Sequence, residues 1–208
     1  MKNSLIAASS LLLGLSVDAS ALSLFEVGIN LDGDQPTPAG VTYSIDASGL
    51  GSVSVLVSGA GPHSVLGYFD FDAGSRPDDE SGGTSGAPGA GESWEIDDPF
   101  GGDIYANFVD GALDDSNGIA AGTLADVALA LGRSFMVSGG GSRVTFFTSL
   151  EVPEAPFYLW QLDGESETTV YLWSTVASVP QPGSLALLAM GLVALGAVRP
   201  RRHSPRRS

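Results

Sequence analysis

The middle of the chain alternates between apolar and small polar residues, which is the pattern of a half-buried β-strand. Between residues 50 and 57, Val53, Val55 and Val57 fall on one face and serines fall on the other. Residues 41–45 alternate in the same way. Because successive side chains of a strand point to opposite faces, such runs bury one face and expose the other. The pattern predicts an all-β fold, an antiparallel β-sandwich ectodomain over residues 22–178.

Further strands are predicted between residues 64 and 176. Residues 64–71 and 157–162 are rich in aromatic side chains, and residues 168–176 are rich in aromatic and β-branched ones. Such compositions favour strands. Residues 134–138 and 143–150 have the same character, and the glycines between them predict the tip of a hairpin.

Two segments have a less regular pattern. Residues 122–131 are rich in alanine and leucine, so they fit a helical turn or a strand, and we favour a strand because another strand follows. Residues 76–91 contain almost no apolar side chains. We therefore expect that segment to be a long exposed loop.

The first 21 residues have the three parts of a secretory signal peptide. Lys2 provides the positive start, an apolar run follows, and Ala19-Ser20-Ala21 supplies the small residues of a cleavage site. We expect export through the Sec translocon and cleavage by signal peptidase between Ala21 and Leu22. The alternative is an uncleaved membrane anchor, which the shortness of the run disfavours.

The last 30 residues, 179–208, also have three parts in a fixed order. Val179-Pro180-Gln181-Pro182 is a stiff extended segment, because each proline fixes its own backbone and restricts its predecessor. Residues 183–198 are apolar and uncharged, and they predict a transmembrane helix about 24 Å long. A basic tail follows over residues 199–208, beginning with Arg199, Arg201 and Arg202.

The positive-inside rule places such a basic tail in the cytoplasm and the domain before it outside. The signal peptide predicts the same side independently. A plain single-pass anchor and a buried core helix are the alternatives, and the abrupt arginine cluster argues against the second.

This tail resembles the PEP-CTERM sorting signal of exported proteins from Gram-negative bacteria that make extracellular polysaccharide. The resemblance rests on Pro180-Gln181-Pro182, the Gly-punctuated apolar stretch after it and the terminal arginines. It implies that exosortase, a membrane-embedded cysteine protease, cuts at the motif. Gln181 stands where the family has glutamate, which keeps the shape and loses the charge. A second, looser resemblance is to a β-rich cargo of the same family that has no assigned reaction, and it rests on residues 92–97, 102–108, 114–118, 129–132 and 157–159.

Charge is strongly sorted along the chain. Of the 24 acidic residues, 23 lie between Glu26 and Glu167, a range with only three basic residues (Arg76, Arg133 and Arg143), so its formal charge is −20. Such a surface repels nucleic acid phosphates and suits divalent cations. The chain contains no cysteine, which excludes disulfides, thiolate metal sites and cysteine nucleophiles.

The sequence assigns no catalytic residue. His63 is the one histidine of the middle region, and its Gly-Pro neighbours predict a turn residue rather than a catalytic base. Glu92 and Glu95 flank Trp94, a ring that can stack on a sugar, but a half-buried strand explains the same pattern better. Paired carboxylates nevertheless keep a hydrolase acting on envelope glycans or peptides as the alternative function.

Calcium is the best cofactor candidate. Asp32 and Asp34, and likewise Asp70 and Asp72, place carboxylates two positions apart beside a glycine. In an extended segment both side chains then face the same way, so they can share one ion. Neither stretch completes an EF-hand, and ordinary turn chemistry of aspartate is the competing explanation.

These patterns together predict a membrane-tethered precursor in the inner membrane, with a periplasmic domain that is later sorted to the cell surface or released. We expect the domain to be non-catalytic and to act by display, adhesion or association with extracellular polysaccharide. Beyond a structural calcium ion, the sequence implies no cofactor.

Overall fold

A computed structural model describes residues 22–34, 39–72 and 76–180, together with residue 190. The signal peptide, most of the predicted transmembrane helix and the basic tail lie outside these residues. Within them the chain forms two antiparallel-rich sheets, which confirms the all-β prediction. No helix of the described part is long and apolar enough to cross a membrane.

The chain contributes its strands to two sheets. The strands are β1 (Ser23–Leu31), β2 (Val41–Ile45), β3 (Gly51–Ser58), β4 (Gly61–Asp72), β5 (Glu80–Gly86), β6 (Glu92–Asp97), β7 (Ser116–Asn117), β8 (Ala128–Val137), β9 (Gly141–Ser149), β10 (Phe157–Asp163) and β11 (Thr169–Val179), with one helix, α1 (Ile104–Asp110), between β6 and β7. The five-stranded sheet has the order β1-β4-β8-β6-β7, and the six-stranded sheet has the order β2-β3-β9-β11-β10-β5.

The main core lies between the two sheets and contains residues from both. Val53 and Val55 of β3 are fully buried, as the alternation predicts, and Phe146 of β9 packs against Phe69 of β4 with ring centroids 6.1 Å apart. Burying such side chains is the main favourable contribution to folding, about 1.5–3 kcal/mol for each large one.

A second, smaller core lies on the outer face of the five-stranded sheet, under α1. Ile104 and Phe108 of the helix pack on Leu66 and Tyr68 of β4. Gly28 of β1 makes room for this contact, because a Cβ there would lie 2.8 Å from two carbon atoms of the Phe108 ring. Residues 65–69 of β4 are therefore buried on both faces, which explains why they lack polar side chains other than the Tyr68 hydroxyl.

Asn30 fixes the end of α1 to β1. Its side-chain amide donates to the carbonyl oxygens of Phe108, at 2.7 Å, and Val109, at 3.2 Å. These carbonyls belong to the last turn of the helix, where backbone acceptors lack partners within the helix. The sequence pattern did not predict this helix, whose seven residues are too few to show a helical period.

The structure corrects two predictions about connections. The segment 76–91 is not simply an exposed loop, because β5 lies within it and pairs with β10. This strand has glycines where apolar residues would be expected. A Cβ on Gly82 would lie 2.6 Å from the side chain of Ile96, so a residue of β6 on the facing sheet fills this part of the core. Gly139 to Gly141 are not a hairpin tip either, because β8 and β9 belong to different sheets and the glycines connect them.

Three smaller differences concern strand ends. Residues 122–127 lie outside any strand, and β8 begins at Ala128. His63 lies within β4 and pairs with Phe135, so the prediction of a turn residue was wrong. Val179 was assigned to the tail, but it is the last residue of β11, where it pairs with Gly141. At the other end of the domain, Leu22 directly precedes β1.

Candidate metal centre

Three aspartates meet at one end of the five-stranded sheet. Asp70 and Asp72 are alternate residues at the end of β4, so their side chains point the same way, as predicted, and they lie on the outer face of the sheet. Asp126 lies two residues before the start of β8, and Asp70 pairs with Ala128 of that strand. One carboxylate oxygen from each aspartate lies within 4.8 Å of the others.

Two oxygens of this cluster have no hydrogen-bond partner among the described residues. They are Oδ1 of Asp70 and Oδ1 of Asp126, and both are shielded from solvent. Asp70 as a whole is 2% exposed. A buried oxygen without a partner costs roughly 1–3 kcal/mol, and more when it is charged. The cluster therefore has unused acceptor capacity that a bound cation would satisfy.

The raised pKa values of the three carboxyl groups also indicate that a cation would stabilise the cluster. Burial raises the pKa of Asp70 to about 7, and the negative charges of neighbouring carboxylates, with Asp126 first, add to the increase. Burial also raises the pKa of Asp126 to about 6 and raises that of Asp72. Within the described residues, none of the three forms a salt bridge with a basic side chain.

Two small cavities lie beside the cluster and share Asp70 and Phe100 in their walls. One has a volume of about 190 Å³ and is also lined by Glu26, Tyr68 and Tyr105. The other has a volume of about 240 Å³ and is also lined by Asp72 and Asp126. They provide the cluster with access for an ion and its water ligands.

The donor set fits calcium. Calcium takes oxygen ligands at 2.3–2.6 Å, so two ligands on opposite sides of one ion lie about 5 Å apart. The separation within the cluster meets this condition. Magnesium demands a tighter octahedron and keeps more of its water, and zinc prefers nitrogen and sulfur ligands.

The buried pair Glu80 and Gln161 connects the backbones that carry these aspartates. The side-chain amide of Gln161 donates to the carbonyl oxygen of Phe71, at 2.6 Å, and to Oε2 of Glu80, at 2.8 Å. The same Glu80 oxygen accepts the Val127 N–H at 3.1 Å. Phe71 lies between Asp70 and Asp72, and Val127 follows Asp126, so this pair holds both segments in place.

The other predicted pair, Asp32 and Asp34, lies elsewhere. Asp32 follows β1 at the end far from Asp72, and six residues of that strand, about 20 Å, separate it from the position paired with Asp70. Oδ1 of Asp32 accepts the Ser64 N–H at 2.7 Å. Neither residue belongs to a group of three potential metal ligands in the described part of the chain. The turn explanation, left open by the sequence, accounts for Asp32.

His63 forms a contact that its sequence context did not indicate. Its Nδ1 lies 2.6 Å from Oδ2 of Asp32, and its Nε2 lies 3.2 Å from the Gly59 carbonyl oxygen. The hydrogen bond to Asp32 is the main cause that raises the pKa of His63. Among the described residues, the contacts of the two ring nitrogens are to a carboxylate and a carbonyl oxygen, and no hydroxyl group is hydrogen-bonded to the ring.

A second carboxylate group lies at the N-terminal side of α1. It consists of Glu95, Asp103 and Asp114. Burial raises the pKa of Glu95 to about 7, but its two oxygens accept hydrogen bonds from the Asn107 amide, at 3.0 Å, and the Asp114 N–H, at 3.4 Å. Glu95 is therefore explained as the polar anchor of the helix.

Trp94 and Glu92 do not form a sugar-stacking site. Trp94 is partly buried against the main core, where its ring lies 6.3 Å from that of Phe157. Glu92 forms an ion pair with Arg133 of β8, and Arg133 also donates to the hydroxyl and carbonyl oxygens of Ser174 on β11, at 2.7 and 2.6 Å. Arg133 thus connects the two sheets.

Sequence reasoning found Asp70 and Asp72 and missed Asp126, Glu80 and Gln161. Asp126 is 54 positions after Asp72, and only the pairing of β4 with β8 brings it close. No family model matches the chain, and no curated protein or solved structure matches it either. The resemblance of the tail to a sorting signal therefore rests on the quoted residues alone.

Proposed function

We propose that this chain is an exported envelope protein whose β domain binds calcium and acts without catalysis, by display, adhesion or association with extracellular polysaccharide. The observation that carries the calcium proposal is the set of three converging aspartates with two buried oxygens that lack partners. Calcium at this place would tie β4 to the segment before β8, and hence stabilise this end of the five-stranded sheet.

Calcium binding is tested by thermal unfolding of the protein in calcium and in chelator. A ligand that binds only the folded state raises the melting temperature by mass action. We expect millimolar calcium to raise it, and expect Asp126→Asn to abolish most of that rise. Glu154→Gln, which removes an exposed carboxylate outside the cluster, is the matched control and should respond as the wild type does. An equal melting temperature in calcium and chelator would exclude a calcium site.

Export and sorting are proposed from the two ends of the chain. Leu22, the expected mature N-terminus, immediately precedes β1, and Pro180 immediately follows β11, so both expected processing positions border the domain. In this proposal signal peptidase acts before Leu22 and an exosortase acts at Pro180 to Pro182. The intermediate is tethered to the inner membrane by residues 183–198, with its domain in the periplasm.

Mass spectrometry of cell-associated and released protein tests the sorting proposal. We expect a mature N-terminus at Leu22 and, in the released pool, a C-terminus near Pro180 to Gly183. An intact C-terminus at Ser208 in both pools would leave only a plain anchor. If Gln181 weakens recognition, Gln181→Glu increases the processed fraction.

The second candidate function is hydrolysis by carboxylates. It is favoured by Asp70, whose pKa of about 7 suits a general acid, next to other carboxylates. Against it, the adjoining cavities of about 190 and 240 Å³ are smaller than the 300–1,000 Å³ typical of ligand pockets. Release of reducing sugar from envelope polysaccharide, lost in Asp70→Asn, would establish this alternative.

A further inference from the structure

The outward face of the six-stranded sheet carries a band of five aromatic residues. Phe146, Leu159 and Leu172 point into the main core. Because side chains alternate along a strand, their neighbours point outward. These half-buried outward rings form what we call the aromatic face: Phe147 on β9, Tyr158 and Trp160 on β10, and Tyr171 and Trp173 on β11.

The rings lie next to one another across adjacent strands. The rings of Phe147 and Trp173 are nearly parallel, with centroids 5.2 Å apart and 15° between their planes. Tyr158 and Tyr171 meet edge to face at 5.7 Å. Trp160 pairs with Tyr171 on one side and with Gly83 on the other. The five rings therefore lie on neighbouring positions of three adjacent strands, on the same face of the sheet.

Gly83 determines how Trp160 lies. A Cβ at Gly83 would come within 2.3 Å of Cζ2, 2.6 Å of Cε2 and 3.0 Å of Nε1 of the Trp160 ring. The indole therefore occupies the space that a side chain at Gly83 would fill on β5. The Trp160 side chain is on the outward side of the sheet and only half-buried, so part of the ring is accessible to a ligand.

No carboxylate lies among the outward residues of the six strands. The other outward residues of β3, β9 and β11 mainly carry hydroxyl groups, as in Ser54, Thr145, Ser149 and Thr175. Arg143 is the one charged residue among them. This contrasts with the five-stranded sheet, whose outward residues include Glu26, Asp70 and Glu95. The domain as a whole is strongly negative, whereas the outward face of the six-stranded sheet carries no negative side chain.

A large cavity adjoins the aromatic face. It has a volume of about 800 Å³, Trp160 forms part of its wall, and polar groups of Ser81, Asn117 and Thr123 also line it. Its size falls in the range of ligand pockets, which combine apolar walls with a few polar groups.

We propose that the aromatic face and this cavity form a binding site for a polysaccharide of uncharged pyranose units. The C–H faces of pyranose rings stack on the electron-rich faces of aromatic rings, and their hydroxyl groups find serine and threonine partners on the same surface. An anionic polymer is disfavoured because the rest of the domain repels it. This inference rests on the proposed association with extracellular polysaccharide and names the surface responsible for it.

Affinity electrophoresis of the full chain, purified from an expressing bacterium, tests the proposal. The gels contain hydroxyethylcellulose, dextran or the anionic polymer alginate. We expect retardation by at least one neutral polymer and none by alginate. Trp160→Ala and Trp173→Ala should each weaken binding about tenfold, the scale of losing one stacked ring. Met136→Ala, on the other sheet and 69% exposed, is the matched control and should bind as the wild type does.

Several outcomes would overturn the proposal. They are no retardation in either neutral gel, retardation by alginate alone, and unchanged binding in both tryptophan variants. Size-exclusion chromatography adds another: a wild-type dimer that Trp173→Ala converts to a monomer would assign the face to self-association. The calcium and C-terminus measurements do not involve the aromatic face. A negative result for polysaccharide binding would therefore leave the calcium and sorting proposals unaffected, and the reverse also holds.

Discussion

Asp70 is almost completely removed from solvent, on a strand whose next outward position, Asp72, also carries a carboxylate. Burial and neighbouring negative charge both oppose its ionisation, and Oδ1 lacks a hydrogen-bond partner in the described chain. At neutral pH without a cation, the folded state must either hold a proton there or bear an uncompensated charge. Its stability should therefore depend on pH and on calcium together.

The direction of this pH dependence follows from the pKa values. Asp70 and Asp126 bind protons more tightly in the folded chain, with pKa values of about 7 and 6, than in the unfolded chain at 3.8. Their contribution to stability is full below about pH 4 and is lost as the pH rises through 6 and 7. In chelator the melting temperature should therefore fall between pH 5 and pH 8.

Calcium should reduce this fall, because it binds the ionised carboxylates and replaces the protons. Asp70→Asn should show a smaller fall in chelator and a much smaller response to calcium. Scanning calorimetry of both proteins at pH 5 and pH 8, with and without calcium, checks this. Glu95 and His63 also have raised pKa values, so the difference between the two proteins is the informative quantity. A calcium response as large at pH 5 as at pH 8 would contradict the assignment.

At the scale of elements, the candidate metal centre depends on three strands of two different sheets. Gln161 of β10 reaches across the core to the Phe71 backbone of β4, and Glu80 of β5 holds the Val127 backbone just before β8. The six-stranded sheet thus positions ligands that belong to the five-stranded sheet and the loop beside it. Such outer partners of metal ligands commonly affect affinity about 10–100-fold.

Gln161→Leu tests this coupling, since it keeps the side-chain volume and removes the donors to Phe71 and Glu80. We expect calcium affinity, measured by isothermal titration calorimetry, to fall about 10-fold or more. Thr148→Val is the matched control: it removes a buried hydrogen bond of 2.6 Å to the Gly49 carbonyl, away from the aspartates. Equal calcium affinities in the two variants would show that Gln161 has no positioning role.

The elements differ in how far the sequence predicts them. The strand β3 is visible in the sequence because its inward valines alternate with mostly serine residues. The strand β5 is not visible in the sequence, because it has glycines at positions 82 and 83. The space beside them is filled by the side chains of Ile96 and Trp160 from other strands. For the same reason local spacing finds Asp70 and Asp72, whereas Asp126 depends on the long-range register of β4 and β8.

At the scale of the whole molecule, Arg133 connects the two sheets through charged and polar contacts. It forms an ion pair with Glu92, whose side chain is 4% exposed, and it donates to two oxygens of Ser174 on the opposite sheet. Glu92 would remain as a buried charge if its partner were removed. Breaking a buried pair in this way typically costs about 3–5 kcal/mol.

Arg133→Met should therefore lower the free energy of unfolding by about 3–5 kcal/mol. Urea denaturation measures the loss. The double variant Arg133→Met with Glu92→Gln should recover part of it, because no unpaired charge remains. Arg143→Met, which removes an exposed arginine of β9, is the matched control and should change stability little. A loss below about 1 kcal/mol for Arg133→Met would place this pair among ordinary surface ion pairs.

The register of β11 has a consequence for orientation. This strand begins at Thr169, beside Leu162 and near the buried Glu80, and it ends at Val179, beside Gly141. Eleven residues of strand span about 36 Å. The aspartate cluster therefore lies near the opposite end of β11 from Pro180, so any attachment of the chain beyond Pro180 leaves the candidate metal centre at the far end of this strand. Tyr171 and Trp173 of the aromatic face lie between these two ends, so a polymer bound there would leave the candidate metal centre and Pro180 uncovered on either side.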